Sequence, residues 1–324
     1  MSLWGWKGIT MSATPVLSAP LNDEVVAEYL EWAEVRARLS PRTLRTYRTT
    51  LDAYLKWLGE RPLSDIKFDD VEDFGNRDRR GRAPAAATAR KDIVCVRQLH
   101  EWAHERDMPI RRVSRARAPK VIDRNPKPID DDIWLALWTS PIPTVDRLWL
   151  GLGYFCGLRR IEIVTIGAEA IDFDRGHMSF VRKGGSTQPI EYVEMIDVVT
   201  DSLPHLAESG REFIGVLHEY ARERVDDEFL YPDATGNPEL DGNRLNKRLY
   251  RHLCPVADIP IESVTPHRLR HSCATNLLRA GVEPHFIMDA LSHADIGTTM
   301  RYMKTSGQLA RWRRGRERMD ERTT

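Results

Sequence analysis

The chain has 324 residues, 41% hydrophobic and 30% charged, with 48 basic side chains balanced by 48 acidic ones. That length predicts two domains with cores of their own, and the composition excludes a disordered chain. No apolar run reaches the length that crosses a bilayer, and the opening MSLWGWKGITMSATPVLSAP lacks the basic-then-apolar layout of a secretory signal.

Residues 1–20 read as a flexible tail in which Met11 is an alternative start. The segment LNDEVVAEYLEWAEVRARLS then places Val25, Val26, Tyr29, Leu30 and Ala33 at helical spacing. Ser40 as N-cap and Pro41 at the first helical position open a second helix. Its apolar stripe is Leu44, Tyr47, Leu51, Tyr54, Leu55 and Leu58, and Arg42, Arg45 and Thr49 lie opposite. A further helix covers about 85–106, with Ile93, Val96, Leu99 and Trp102 inward. No strand pattern interrupts this all-helical first domain, 21–112.

Residues 113–129 read as a basic, proline-broken linker. The second domain, 130–324, opens with Asp130 capping a helix and continues with an apolar helix from Val145 to Cys156. Gly157 breaks it and a new helix starts near Arg159. HMSFVRKGGSTQPIEYVEM is the clearest β signal: Met178, Phe180, Ile190 and Tyr192 flank a Gly-Gly turn with Lys183 at the tip. The remainder is mainly helical. The fold expected is mainly α with a small β-hairpin or sheet, in two domains.

The neutral net charge conceals segregation. Arg111 to Lys127 holds seven basic residues against Asp123 alone, Val35 to Arg48 has five arginines and no acid, and Arg301 to Arg318 has seven basic residues against Glu317. Three such runs make a polyanion partner plausible. The four cysteines (Cys95, Cys156, Cys254, Cys273) are far apart and follow no metal spacing, as expected of reduced thiols in a cytoplasmic protein.

HRLRHS, residues 267–272, crowds two histidines and two arginines onto one helix start. A metal site, a solvated polar face and an anion pocket compete as explanations. His267 and His271 have the i, i+4 spacing of zinc ligands, but Arg268 stands where a metalloprotease motif has its glutamate, and Arg270 between the ligands repels a cation. No metal is expected. A polar face is the natural reading of the hexapeptide alone, with Leu269, Cys273, Leu277 and Ala280 inward. Other residues overturn it. Arg159 follows a glycine, Lys183 rides the hairpin, and LSHADIGTTMRYM supplies His293 and Tyr302. Two arginines, a lysine, two histidines and a tyrosine suit attack on a phosphodiester, which needs a nucleophile, neutralised oxygens and a proton donor for the leaving alkoxide. Arginine's planar fork bonds two such oxygens without a metal ion.

The boxes GLRRIE, HRLRHS and LSHADIGTTMRY, with VRKGG on the hairpin, resemble those of the tyrosine recombinase (phage integrase) family, which includes Xer-type enzymes. LSPRTLRTYRTTLDAYLKWL resembles that family's helical core-binding domain, so the likeness spans about residues 21–315. Ser292 replaces a usual glycine, and GGSTQP lacks a second basic hairpin residue.

The resemblance implies a site-specific DNA recombinase built from a core-binding and an integrase-type catalytic domain. Tyr302 would attack the scissile phosphate to form a 3′-phosphotyrosyl link, with Arg159 and Arg270 on the non-bridging oxygens. Lys183 would protonate the departing 5′ oxygen, His267 would handle the tyrosine proton or bond the phosphate, and His293 would donate a further hydrogen bond. Glu162 would orient its neighbours. No cofactor is implied. The partner is double-stranded DNA, clamped by the two domains, with Arg42, Thr43, Arg45, Arg90 and Lys91 as candidate contacts. Assembly would be a homotetramer on two DNA sites, monomeric or weakly associated without DNA, with no membrane role. The cytoplasm of a bacterium or phage-infected host is the expected location. Rival readings are a topoisomerase that reseals the original strand and a DNA-bending factor without catalysis.

Overall fold

The computed structural model describes residues 21–121, 127–181, 187, 189–232 and 234–291. Its contacts form two units that divide between residues 123 and 124. The tail before residue 21 lies outside the described residues.

The first unit has four α-helices among the described residues: α1 (Asn22–Val35), α2 (Pro41–Leu58), α3 (Phe68–Asn76) and α4 (Ala86–His104). Ser40 caps α2 as expected, its hydroxyl accepting from the Thr43 backbone N–H at 3.2 Å, with Pro41 first in the helix. The i, i+3, i+4 apolar spacing buries Val25, Tyr29, Leu51, Tyr54, Ile93, Val96, Leu99 and Trp102 in one core. Each such side chain contributes roughly 1.5–3 kcal/mol by leaving water. Leu44, Tyr47 and Leu55 are only half-buried, the last two packed at the edge of this core, while Arg42, Arg45 and Thr49 face solvent. Helix α3 went unread in the sequence because FDDVEDFGN offers only Val71 and Phe74 to the core; Phe74 meets the Tyr54 ring at 4.8 Å.

Val113 and Ala116, within the segment that reads as linker, are buried in this first core, and Ile129 is buried in the second. Prolines and charge mark the segment as exposed, and single small apolar anchors do not alter that composition.

The second unit runs α5 (Asp131–Thr139), α6 (Thr144–Tyr154), α7 (Arg160–Thr165), a small sheet, then α8 (Tyr192–Ser202), α9 (Ala207–Arg222) and α10 (Pro238–Arg248). A π-helical turn, Leu249–Leu253, leads to the short α11 (Cys254–Val256), followed by α12 (Pro266–Arg279) and α13 (Pro284–Leu291). The sheet joins β1 (Ile171–Asp172), β2 (His177–Met178) and β3 (Ile190–Glu191) in antiparallel order β1-β2-β3, with Met178 opposite Ile190. The two arms of the expected hairpin are therefore paired, its tip lying outside the described residues, and there are two differences. Strand β1 was not expected, and Phe180 and Tyr192 lie outside the strands, because Tyr192 already begins α8 and buries its ring in the core. Asp130 precedes α5 but its side chain makes no capping bond.

Helices α6 and α12 pack closely. Gly153 permits this, since a Cβ there would lie 2.9 Å from that of Leu269. Stacked Trp134 and Tyr154, ring centroids 3.6 Å apart, fill the space beside them. Among the described residues no helix is long and apolar enough to cross a membrane.

Candidate active site

Two chain breaks bring the arginines together. Helix α6 ends at Tyr154, and three residues on the chain turns at Gly157, whose φ of +65° is a left-handed conformation that a side chain resists. The chain then turns so that Arg159 occupies the position before α7. Glu162, one turn into that helix, accepts from the Arg159 backbone N–H at 2.7 Å with one oxygen and from Arg159 Nη1 at 2.7 Å with the other. A buried carboxylate thus fixes both the backbone and the guanidinium of Arg159.

Arg270 comes from α12, whose start is set by Thr265 as N-cap, accepting from the Arg268 N–H at 3.1 Å, and by Pro266 behind it. The sequence alone places Arg270 on a polar face. In the structure it is 6% exposed, facing inward toward the α6–α7 turn. A charge so buried needs partners. Arg270 Nη1 donates to the Gly157 carbonyl at 2.5 Å, lies 3.9 Å from Glu162 Oε2, and Nη2 donates to the Leu291 carbonyl at the end of α13. Arg159 Nη2 donates to that same Leu291 oxygen at 3.5 Å. Two guanidiniums from separate helices therefore converge on one oxygen atom, with one carboxylate, Glu162, behind them. This is the arrangement that favours an anion: fixed donors aimed at one point and a net positive charge.

His267 lies one turn before Arg270 on α12, and its ring packs edge-on against His271 with centroids 4.0 Å apart. The residue is exposed. Desolvation, aided by the nearby positive charge of Arg270, nevertheless holds its pKa below the usual histidine value, so the neutral imidazole able to accept a proton is favoured. Among the described residues no three His, Cys, Asp or Glu side chains gather to hold a metal ion. The four cysteines are all buried and unpaired.

Of the six sequence-derived catalytic candidates, the structure brings Arg159 and Arg270 together and sets His267 on the same helix as Arg270. Lys183, His293 and Tyr302 lie outside the described residues. The candidate DNA contacts fall in the first unit: Arg42 and Arg45 exposed in the first turns of α2, Thr43 half-buried with its hydroxyl 2.8 Å from that of Ser40, and Arg90 and Lys91 exposed early in α4.

Comparison with known proteins supplies the context for this geometry. The model of the phage integrase family matches residues 131–308, and that family's N-terminal SAM-like domain matches residues 26–107. The chain belongs to the phage integrase family.

Within that family it is a tyrosine recombinase of the Xer-like type, a site-specific DNA recombinase. It is 28% identical over 295 residues to tyrosine recombinase XerD of Pasteurella multocida, covering 87% of this chain and 94% of the relative. It is 27% identical over 298 residues to tyrosine recombinase XerC of Rhodospirillum centenum, covering 86% and 82%. Its fold is similar to a lambda integrase dimer bound to a COC′ core site, with TM-score 0.63 and 17% identity over 86% of this chain and 76% of that one. It is equally similar to XerH recombinase bound to palindromic difH substrate in a post-cleavage complex, with TM-score 0.63 and 16% identity over 89% and 82%.

Sequence reasoning missed the Leu291 carbonyl of this recombinase, because a backbone oxygen carries no residue-type signal. It also missed Asp92, which is 1% exposed in the first unit. The clue to Asp92 was available: an aspartate beside Ile93, on the stripe of α4 that otherwise holds Ala89, Val96 and Leu99.

Proposed function

We propose that this recombinase cuts and rejoins double-stranded DNA through a 3′-phosphotyrosyl intermediate formed by Tyr302. The observation that supports this most is the convergence of Arg159 and Arg270 on a single oxygen acceptor, backed by Glu162. The two forks would hold the non-bridging oxygens of the scissile phosphate, where negative charge builds as the phenolic oxygen adds. The Tyr302 oxygen bonds to phosphorus, the phosphorus–5′-oxygen bond breaks, and the departing oxygen takes a proton from Lys183. Neutral His267 accepts the phenol proton, and His293 donates to the phosphate. A 5′-hydroxyl from another strand then attacks the phosphotyrosine and returns the phenol. One ester replaces another at every step, so no nucleotide or redox cofactor is called for.

On this reading the helical first unit, through Arg42, Thr43, Arg45, Arg90 and Lys91, and the basic segment joining the units hold the duplex. Four copies act on two sites, in the cytoplasm of a bacterium or phage-infected host. A nicked duplex, which loses its short strand after cleavage and cannot be resealed, tests the chemistry. Wild type is expected to accumulate covalent protein–DNA adduct. Arg159→Ala and Arg270→Ala should each slow adduct formation by roughly 10²–10³-fold while still shifting the duplex. Equal rates for either variant and wild type would remove that arginine from the site.

A further inference from the structure

The first unit carries a second arginine cluster that the sequence-derived DNA contacts do not include. Between α3 and α4 the chain reads N-R-D-R-R-G-R-A-P, with Arg77, Arg79, Arg80 and Arg82 against Asp78. Arg79 and Arg82 exchange backbone bonds, Arg79 N–H to Arg82 O at 2.9 Å and Arg82 N–H to Arg79 O at 3.3 Å. Between them Arg80 at φ 56° and Gly81 at φ 76° are both left-handed. That is the backbone pattern of a two-residue type I′ turn. A glycine suits its second position; an arginine at the first is unfavourable for the backbone, and retaining it there calls for a reason.

The four arginines divide into two pairs. Arg77 and Arg79 are struts: both donate to Oδ2 of Asp92, Arg77 at 2.9 Å. Arg77 also lies over the Phe74 ring, 3.7 Å from its centre. Thr50 donates to the other Asp92 oxygen at 3.3 Å, and Lys91 stands 3.4 Å from it. The carboxylate is buried, so the base of the turn is anchored in the core of the unit. Arg80 and Arg82 are exposed, and among the described residues neither side chain has a hydrogen-bond or ion-pair partner. From Arg77 to Asp92 six cations stand against two carboxylates, Arg90 and Lys91 among them in the second turn of α4.

A preorganised positive tip of this kind fits a polyanion, and the recombinase acts on one. We propose that the Arg79–Arg82 turn is a DNA-contacting element that delivers Arg80 and Arg82 to phosphates of the duplex. The proposal rests on the DNA-recombinase reading and extends it to residues outside the two helices already implicated.

The test uses the full chain and a labelled duplex of arbitrary sequence, with binding measured across a potassium chloride series. Arg80→Gln/Arg82→Gln should reduce the slope of log affinity against log salt by about 1.8, that is ~0.9 per lost phosphate contact, with an unchanged melting temperature. Arg80→Lys/Arg82→Lys should keep the wild-type slope. A glutamine pair with the wild-type slope overturns the proposal, as does an equal loss in both pairs, which would mean the turn had been disturbed rather than its charge removed. The nicked-duplex adduct is scored separately with saturating protein. Its absence from wild type would defeat the recombinase chemistry, whereas a normal adduct with an unchanged slope would defeat the turn alone.

Discussion

Replacing Glu162 with glutamine preserves shape and removes the one carboxylate between two guanidiniums. Arg270 Nη1 stands 3.9 Å from Glu162, and the two side chains are only 7% and 5% exposed. At an effective dielectric constant of about 20 a pair at that range attracts by ~4 kcal/mol before desolvation. Arg159 is 2.7 Å away but 31% exposed, so solvent screens much of its share. Removing one member of a buried pair typically costs 3–5 kcal/mol, because the remaining charge stays buried without compensation. The glutamine carbonyl can still accept one Arg159 bond, which places Glu162→Gln near the lower end, ~3 kcal/mol. For a unit of this size that lowers the melting temperature by roughly 6–12 °C. Differential scanning calorimetry on the free protein measures it. On the proposed reading duplex DNA should recover part of the loss, since a phosphate between the arginines would supply the missing negative charge. A shift below ~1 °C in the free protein, or no greater stabilisation by DNA than in wild type, would refute the reasoning.

His100 gives a pH signature to the first unit. It is fully buried; its Nδ1 lies 3.0 Å from the Arg111 carbonyl, to which it must donate, leaving Nε2 to accept from the Tyr54 hydroxyl at 3.1 Å. Burial pushes its pKa down from 6.5 to about 4. The unfolded chain therefore binds the proton first, so this contribution is complete above pH 6.5 and drains away as pH falls toward 4, by up to ~3 kcal/mol. Urea unfolding of wild type and His100→Asn across that range should show the extra slope only in wild type; parallel curves would contradict it. Gly157→Ala should cost ~2–4 kcal/mol from left-handed strain and overpacking together. The new Cβ would fall 2.3 Å from Leu291 Cδ2 and 3.1 Å from Cys273 Sγ, beside the carbonyls that anchor Arg270. Thermal melting and adduct yield should fall together, and an unaffected adduct yield would detach this turn from the site.

Much of the fold was legible because apolar spacing and capping chemistry are local. Ser40–Pro41 opened α2 as read, and the stripes of α2 and α4 faced the core. What stayed hidden depended on distant partners. The β1 strand is two residues long and exists only by pairing with β2. Arg270 looked solvent-facing because a helical period says which residues share a face, not what covers that face. Its cover is the Gly157 turn and the end of α13, 113 and 21 residues away in sequence. The candidate catalytic residues stood out by type and order along the chain; Arg159 and Arg270 meeting on one carbonyl oxygen did not, since neither the turn nor the carbonyl is written in residue identity.

The most direct measurement is chemical mapping of the trapped adduct. Protein bound to a nicked duplex is digested with protease and nuclease, and the nucleotide-bearing peptide is sequenced by mass spectrometry. The expected result is a 3′-phosphate ester on Tyr302 and no adduct from Tyr302→Phe. An ester on any other side chain, or equal adduct from the phenylalanine variant, would contradict the assignment of Tyr302 as the nucleophile.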